Sequence, residues 1–143
     1  MTRSRHALLW TTLTVLASLC ACTPLTPNFG CERATLMPEQ LIGTWMVRVS
    51  GQSSPWTLKL QAHPEHQGSL RGVLTQQGRQ FSVVADLDDA AFTMEETQDG
   101  QRISATWLGT LKTGHCDQLI AGERHAEGTQ RTQHFVIYSN RHR

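Results

Sequence analysis

Strict alternation of apolar and polar residues is the feature that most constrains the fold of this chain. Trp45, Val47 and Val49 alternate with Met46 and Arg48. Further segments alternate in the same way or more weakly, at residues 56–61, 69–75, 80–87, 92–94, 103–109, 119–124 and 134–138. Successive side chains of a strand point to opposite faces, so a period of two predicts strands with one buried face. We therefore expect an all-β protein with eight strands.

Turn-forming residues divide these segments. Asp99-Gly100 is the sharpest hairpin signal in the chain. The other turns are predicted at residues 51–55, 63–68, 76–78, 88–90, 113–114 and 127–129. Short links join antiparallel neighbours, and closing the sheet on itself leaves no edge exposed. The pattern thus predicts an eight-stranded antiparallel up-and-down β-barrel.

The N-terminal segment has the organisation of a secretion signal. Arg3 and Arg5 precede a largely apolar run over residues 7–19, which is too short to span a bilayer. The run ends in Leu-Cys-Ala-Cys at residues 19–22, which resembles the lipobox of bacterial lipoproteins. The resemblance implies a signal peptide over residues 1–21 and attachment of lipid to the thiol of Cys22.

The same resemblance implies a location. Thr23 stands where many inner-membrane lipoproteins have an Asp. We therefore expect a lipid-anchored protein of the outer membrane that faces the periplasm or the cell surface. Residues 22–36 contain several Thr and Pro residues and are predicted to form a tether, followed by the barrel domain over residues 37–143.

The cysteines support this organisation. Of the four in the chain, Cys20 would leave with the signal and Cys22 would carry lipid, so Cys31 and Cys116 remain. A remaining pair in an oxidising periplasm is most simply a disulfide, and two free buried thiols are the alternative. Zinc is not expected, because neither cysteine has a second cysteine nearby.

A second resemblance concerns the start of the barrel. Residues 37–45, with Gly43 and Trp45 as a Gly-x-Trp motif, look like the entry to a calycin barrel, the group of lipocalins, fatty-acid-binding proteins and avidins. The resemblance implies a short helical turn that leads into the first strand, and a Trp45 that packs across the closed base. Arg141 is the candidate basic partner of Trp45. Val47 stands where avidins have a biotin-binding Asn, so biotin binding is not implied.

The topology predicts where a ligand would enter. Cys31 and Cys116 should meet at the base, and loops at residues 52–55, 76–79, 98–101 and 126–130 should form the opposite, distal rim. Trp56 and Trp107 lie beneath that rim and are the candidate contacts for a small, largely apolar ligand. The alternative is that the aromatic residues simply fill the core, namely Trp45, Trp56, Phe81, Phe92, Trp107 and Phe135.

Catalytic and metal-binding patterns are weak. His63 and His66 flank Pro64, which breaks any helix, so a solvated turn is expected rather than a metal site. An acidic cluster is expected to form a solvated hairpin rather than a calcium loop, and comprises Asp86, Asp88, Asp89, Glu95 and Glu96. No nucleophile motif is present in the sequence. We expect a non-enzymatic protein without a metal or cofactor.

Three functions fit these expectations. The barrel could carry a small apolar ligand. A filled barrel could instead bind a protein through its distal loops, as a periplasmic enzyme inhibitor does, or serve as an accessory of an envelope or secretion complex. The balance of 13 Lys and Arg against 12 Asp and Glu argues against nucleic acid as a partner. An internal cavity would favour the carrier, and a packed interior would favour protein binding.

Overall fold

A closed eight-stranded barrel forms most of the computed structural model, which describes residues 36–112 and 119–139. The elements are a 3-10 helix Pro38–Leu41 (η1) and the strands β1 Gly43–Val49, β2 Trp56–Ala62, β3 Leu70–Gln76, β4 Arg79–Asp88, β5 Ala91–Thr97, β6 Ile103–Lys112, β7 Leu119–Ala126 and β8 Thr132–Ser139. Each strand pairs antiparallel with the next, and β8 returns to β1 with Val47 opposite Ile137. The predicted up-and-down barrel with a short N-terminal helical turn is confirmed.

The turn chemistry explains why neighbouring strands pair in sequence. Gln77 and Gly78 connect β3 to β4 in two residues, with φ angles of 48° and 83°. Positive φ at both central positions matches the right-handed twist of the flanking strands and fixes the register of Gln76 opposite Arg79. The predicted turn at residues 76–78 is therefore confirmed.

Side chains from alternate strand positions fill the barrel. The six aromatic residues that the sequence places on apolar faces are all buried, namely Trp45, Trp56, Phe81, Phe92, Trp107 and Phe135. Trp107 stacks edge-on against Trp56 and Phe135, with ring centroids 5.9 Å and 5.0 Å away. Only 2% of Trp56 and 0% of Trp107 is accessible to water. A void large enough to hold a water molecule beside either ring would make part of that ring accessible. The low accessibility therefore shows that the barrel is tightly packed around this pair.

Two glycines make room for this packing. Gly109 and Gly122 lie opposite each other on β6 and β7. A Cβ atom on Gly109 would lie 3.0 Å from both Cγ2 of Ile120 and Cζ of Phe135. The ring of Phe135 thus occupies the space that a side chain on β6 would need.

The base of the barrel is closed by η1. Leu41 is buried there, and its carbonyl oxygen accepts a hydrogen bond of 2.7 Å from the indole Nε1 of Trp45. The indole therefore couples the helical turn to β1, in agreement with the base position that the calycin resemblance implies for Trp45. The candidate partner Arg141 lies outside the described residues.

The opposite end is the distal rim, formed by the loops at residues 50–55, 77–78, 98–102 and 127–131. The chain enters the barrel at the other end, through buried Leu36 and η1. Cys22, Cys31 and Cys116 lie outside the described residues, and their predicted lipidation and disulfide stay predictions. Within residues 36–112 and 119–139, no helix combines the length and the apolar character needed to cross a bilayer.

Candidate functional site at the distal rim

The two predicted ligand contacts come together beneath the distal rim. Trp56 is the first residue of β2 and Trp107 lies in the middle of β6, and their rings meet nearly at right angles, with an interplanar angle of 75°. The sequence thus identified a pair that the fold does bring into contact. Both rings are almost fully buried, so protein atoms surround them on every side.

The side chain of Arg124 on β7 packs beside both rings. Its guanidinium carbon lies 5.5 Å from the ring centroid of Trp56 and 5.3 Å from that of Trp107. Cations at this distance from an aromatic face are attracted by the negative potential of the ring. One cation is therefore shared by two indoles.

A buried carboxylate neutralises this cation. The Oε1 and Oε2 atoms of Glu96 accept hydrogen bonds from Nη2 and Nε of Arg124 at 3.0 Å and 3.2 Å. Oε2 also accepts a bond of 3.0 Å from Nε1 of Trp107. Only 1% of Glu96 is exposed. A carboxylate can remain in such a place when it is paired and fully hydrogen-bonded, since an isolated buried charge is costly.

A β-bulge brings a further group to Glu96. The register runs from Glu96 opposite Ala105 to Thr97 opposite Ile103, which leaves Ser104 as an extra residue in β6. Bulges redirect side chains, and Ser104 turns its hydroxyl to the carbonyl oxygen of Glu96 at 3.0 Å and to Oε1 at 3.3 Å.

The network continues to the other side of the barrel. Nη1 of Arg124 donates to Oε1 of Gln133 at 2.9 Å, and Nε2 of Gln133 donates to the carbonyl oxygen of Ser50 at 3.3 Å. We call the connected residues Ser104, Glu96, Arg124, Gln133 and Ser50 the polar brace. The brace links the ends of strands on opposite sides of the barrel directly beneath the distal rim.

Next to the brace, two loops flank an open surface concavity of about 680 Å³, which we call the rim pocket. It is lined by Gln98, Asp99, Arg102, Ile103, Ser104 and Glu127. Ser104 belongs to both the pocket and the brace, so the pocket floor is tied to the barrel interior. Ile103 is 40% exposed and gives an otherwise polar pocket an apolar wall.

Asp99 organises one side of the rim pocket. Its Oδ1 atom accepts hydrogen bonds from the backbone N–H groups of Gln101 and Arg102 at 3.0 Å and 2.9 Å, and Oδ2 accepts one from Nε of Arg102 at 3.2 Å. The backbone N–H of Arg102, and next that of Gln101, lower the pKa of Asp99 from 3.8 to about 2. An Asp that bonds to the backbone two and three residues ahead holds its turn in one shape. The predicted Asp99-Gly100 turn is present, within a loop at residues 98–102.

Glu96 belongs to the candidate site, although the sequence analysis placed it elsewhere. It was grouped with a solvated acidic hairpin, and that expectation is wrong for Glu96 because the carboxylate points into the barrel. The alternation of Phe92, Met94 and Glu96 carried the correct signal, since all three share a face. Asp86 and Asp88 are exposed on the outer face, as expected.

The histidine turn at the base behaves as a turn. Nδ1 of His63 accepts hydrogen bonds from the backbone N–H groups of Glu65 and His66, both at 3.2 Å. The expected turn is confirmed.

Within the part of the chain that the structure describes, no three His, Cys, Asp or Glu side chains are arranged to hold a metal ion.

The geometry defines a class of protein by its fold: an all-β, closed, eight-stranded up-and-down barrel with a packed centre and a polar rim. This architecture is compatible with a calycin-like barrel. No family model matches the chain. A search of the curated proteins also finds no match.

Proposed function

We propose that this protein is a non-enzymatic, lipid-anchored envelope protein that binds another protein through its distal rim. The packed interior carries the proposal: Trp56, Trp107 and the guanidinium of Arg124 fill the barrel where a carrier would hold its ligand. Carriers enclose their ligands in cavities of several hundred cubic ångströms. A filled barrel leaves the rim as the surface for recognition.

The charge pair beneath the rim also opposes an apolar ligand. Such a ligand would have to displace Arg124 and leave the buried carboxylate of Glu96 without its cationic partner. Breaking a buried pair costs on the order of 3–5 kcal/mol, which a small apolar molecule would need to offset before it bound at all. Protein binding through the rim needs no such rearrangement.

The distal rim has the composition and rigidity that protein recognition needs. Ile103 supplies an exposed apolar anchor, and Asp99, Arg102 and Glu127 surround it with charge. Protein interfaces combine an apolar centre with a polar margin. The hydrogen bonds of Asp99 and the polar brace hold the loops in place before binding, which reduces the entropy lost on association.

The proposed anchor suits this use of the rim. Lipid on Cys22 and a tether over residues 22–36 would reach the barrel at its base, because the chain enters through Leu36 and η1. The distal rim would then face away from the membrane. We place the protein at the outer membrane, with its partner in the periplasm or at the cell surface.

Site-specific crosslinking in the producing cells tests this proposal. A photo-reactive amino acid at Gln101 on the distal rim should give a discrete adduct with another protein, because the rim would contact the partner. The same amino acid at Gln67, in the exposed loop at the base, is the matched control. An Ile103→Asp change should remove the rim adduct while leaving the β spectrum intact.

The competing outcome is equally specific. If the crosslinker at Gln101 gives no protein adduct, or if the Gln67 position gives the same one, rim recognition is wrong. A fatty acid or other apolar molecule that co-purifies in equal amount with the protein would support the carrier instead. Mass spectrometry of the intact protein under native conditions detects such a molecule.

A further inference from the structure

The residues around the guanidinium of Arg124 form a cage with a definite chemistry. Two indole faces, from Trp56 and Trp107, lie 5.5 Å and 5.3 Å from the cationic carbon. The carboxylate of Glu96 accepts two of its hydrogen bonds side by side, at 3.0 Å and 3.2 Å. Aromatic faces and a carboxylate are the groups that proteins use to recognise organic cations.

One of the two indoles also carries an unused hydrogen-bond donor. Nε1 of Trp56 is buried and lacks a hydrogen-bond partner among the described residues. Buried polar groups without a partner are uncommon and call for an explanation. A guanidinium has only donors, so Arg124 offers no partner to Nε1 of Trp56, whereas an occupant with an acceptor within reach of it would.

We propose that Trp56, Trp107 and Glu96 form a recognition site for a ligand with a guanidinium group, such as a free arginine or an arginine side chain of a peptide. In the resting protein Arg124 occupies this site as an internal substitute. A ligand that also carries an acceptor, such as a carbonyl or carboxylate oxygen, would satisfy Nε1 of Trp56. This proposal does not depend on the protein partner proposed above.

Arg124 is placed to leave the cage. It lies two residues before the end of β7, next to the distal loop at residues 127–131. Its side chain is 11% exposed whereas that of Glu96 is 2% exposed, so Arg124 is the more accessible member of the pair. A guanidinium from a ligand would restore both bonds to Glu96 and both ring contacts. The exchange gives up only the bond to Gln133, and the departing arginine regains water.

Exchange of Arg124 for a ligand predicts how the affinity for guanidinium compounds should change in variants. A ligand can bind only to the fraction of molecules in which Arg124 has left the cage, and its apparent affinity is reduced in proportion to that fraction. Removing the Arg124 side chain should therefore strengthen binding of a guanidinium ligand by about tenfold or more relative to the unaltered chain. Removing the charge of Glu96 should weaken binding in the same background.

The test uses the full chain and methylguanidinium chloride as the probe, followed by tryptophan emission. The Arg124→Ala variant should respond saturably, in the millimolar range, and sodium chloride at equal ionic strength should have no such effect. The Glu96→Gln, Arg124→Ala double variant is the matched control and should bind at least about tenfold more weakly. The unaltered chain should saturate at a higher concentration than Arg124→Ala does.

Several results would overturn the proposal. These are no saturable response in Arg124→Ala, equal binding by the double variant, or no binding by the unaltered chain at concentrations far above those that saturate Arg124→Ala. If Arg124→Ala does not fold, the test moves to the unaltered chain. Methylguanidinium should then shift the Nε–H resonance of Arg124 toward that of an exposed arginine, and an unmoved resonance would refute the exchange.

Discussion

Glu96 and Arg124 form a two-bond ion pair inside the barrel, from strands that do not pair with each other. Glu96 lies on β5 and Arg124 on β7, with β6 between them. The intervening strand contributes Nε1 of Trp107, which donates to the same carboxylate at 3.0 Å. Three consecutive strands are thus tied together across the interior as well as through their backbone ladders.

Removing one partner of this ion pair should lower the free energy of unfolding substantially. An Arg124→Ala change leaves the Glu96 carboxylate buried and unpaired, and we expect a loss of about 3–5 kcal/mol in the free energy of unfolding. Replacing both residues together, by Glu96→Leu and Arg124→Met, should cost much less because no charge is left buried. Urea unfolding measures both values. Exposed Arg71→Ala is the control and should change stability by no more than about 0.5 kcal/mol. Equal losses in the single and double variants would contradict this account.

Trp45 and Trp56 provide a matched pair for the hydrogen bond at the base. Trp45→Phe removes the 2.7 Å bond to the buried carbonyl of Leu41. In contrast, Nε1 of Trp56 has no hydrogen-bond partner to lose within residues 36–112 and 119–139. We expect Trp45→Phe to lower the free energy of unfolding by about 1–3 kcal/mol more than Trp56→Phe does. Both proteins should keep a β-type circular dichroism spectrum. Equal destabilisation would mean that the bond to η1 contributes nothing.

Asp99 should respond to acid at an unusually low pH. Its pKa falls from 3.8 to about 2, first because of the backbone N–H of Arg102 and then that of Gln101. The folded state therefore favours the carboxylate. Its stabilising effect is complete above pH 3.8 and disappears as the pH falls through about 2. Titration of the side-chain carboxyl carbon by NMR should give a midpoint near 2, and Asp99→Asn should remove this pH dependence of the loop. A midpoint at 3.8 would show that these hydrogen bonds do not form in solution.

Lipid attachment should depend on Cys22 alone. Cys22→Ala should abolish labelling with a radioactive fatty acid and release the protein from the membrane fraction. The lipoprotein resemblance implies three acyl chains on Cys22, which exceed the two signals that stable anchoring requires. Cys20→Ala is the control, since that cysteine would leave with the signal peptide. Label that persists on the Cys22→Ala protein would rule out the anchor.

Cys31 and Cys116 should form one disulfide in the mature protein. Its loss should lower the free energy of unfolding by on the order of 4 kcal/mol, because the bond closes a long loop. Cys31→Ser, Cys116→Ser and the double variant should be destabilised equally, since each removes the same bond. Thiol labelling of protein from the periplasm provides a direct check. Two reactive thiols there would favour the alternative of free cysteines.

Local patterns account for most of the barrel. The alternation from Trp45 to Val49, and its repeats along the chain, predict strands because apolar residues occupy the buried face of a strand and polar residues its exposed face. The turn at Gln77 and Gly78 was predictable for a similar reason. Glycine adopts a positive φ at little cost, so a single glycine between two strand patterns indicates a tight turn. The position of Trp45 at the base was implied by the resemblance of its Gly-x-Trp motif to calycin barrels, and its bond to Leu41 spans only four residues of sequence.

The polar brace required the tertiary structure. The alternation on β5 places Glu96 on the inner face, yet a carboxylate is stable there only because Arg124, 28 residues later in the chain, reaches it from β7. The bulge that turns Ser104 inward is a property of the pairing between two strands. Strand formation depends on neighbours in sequence, whereas the burial of a charge depends on partners that only the closed barrel brings within hydrogen-bonding distance.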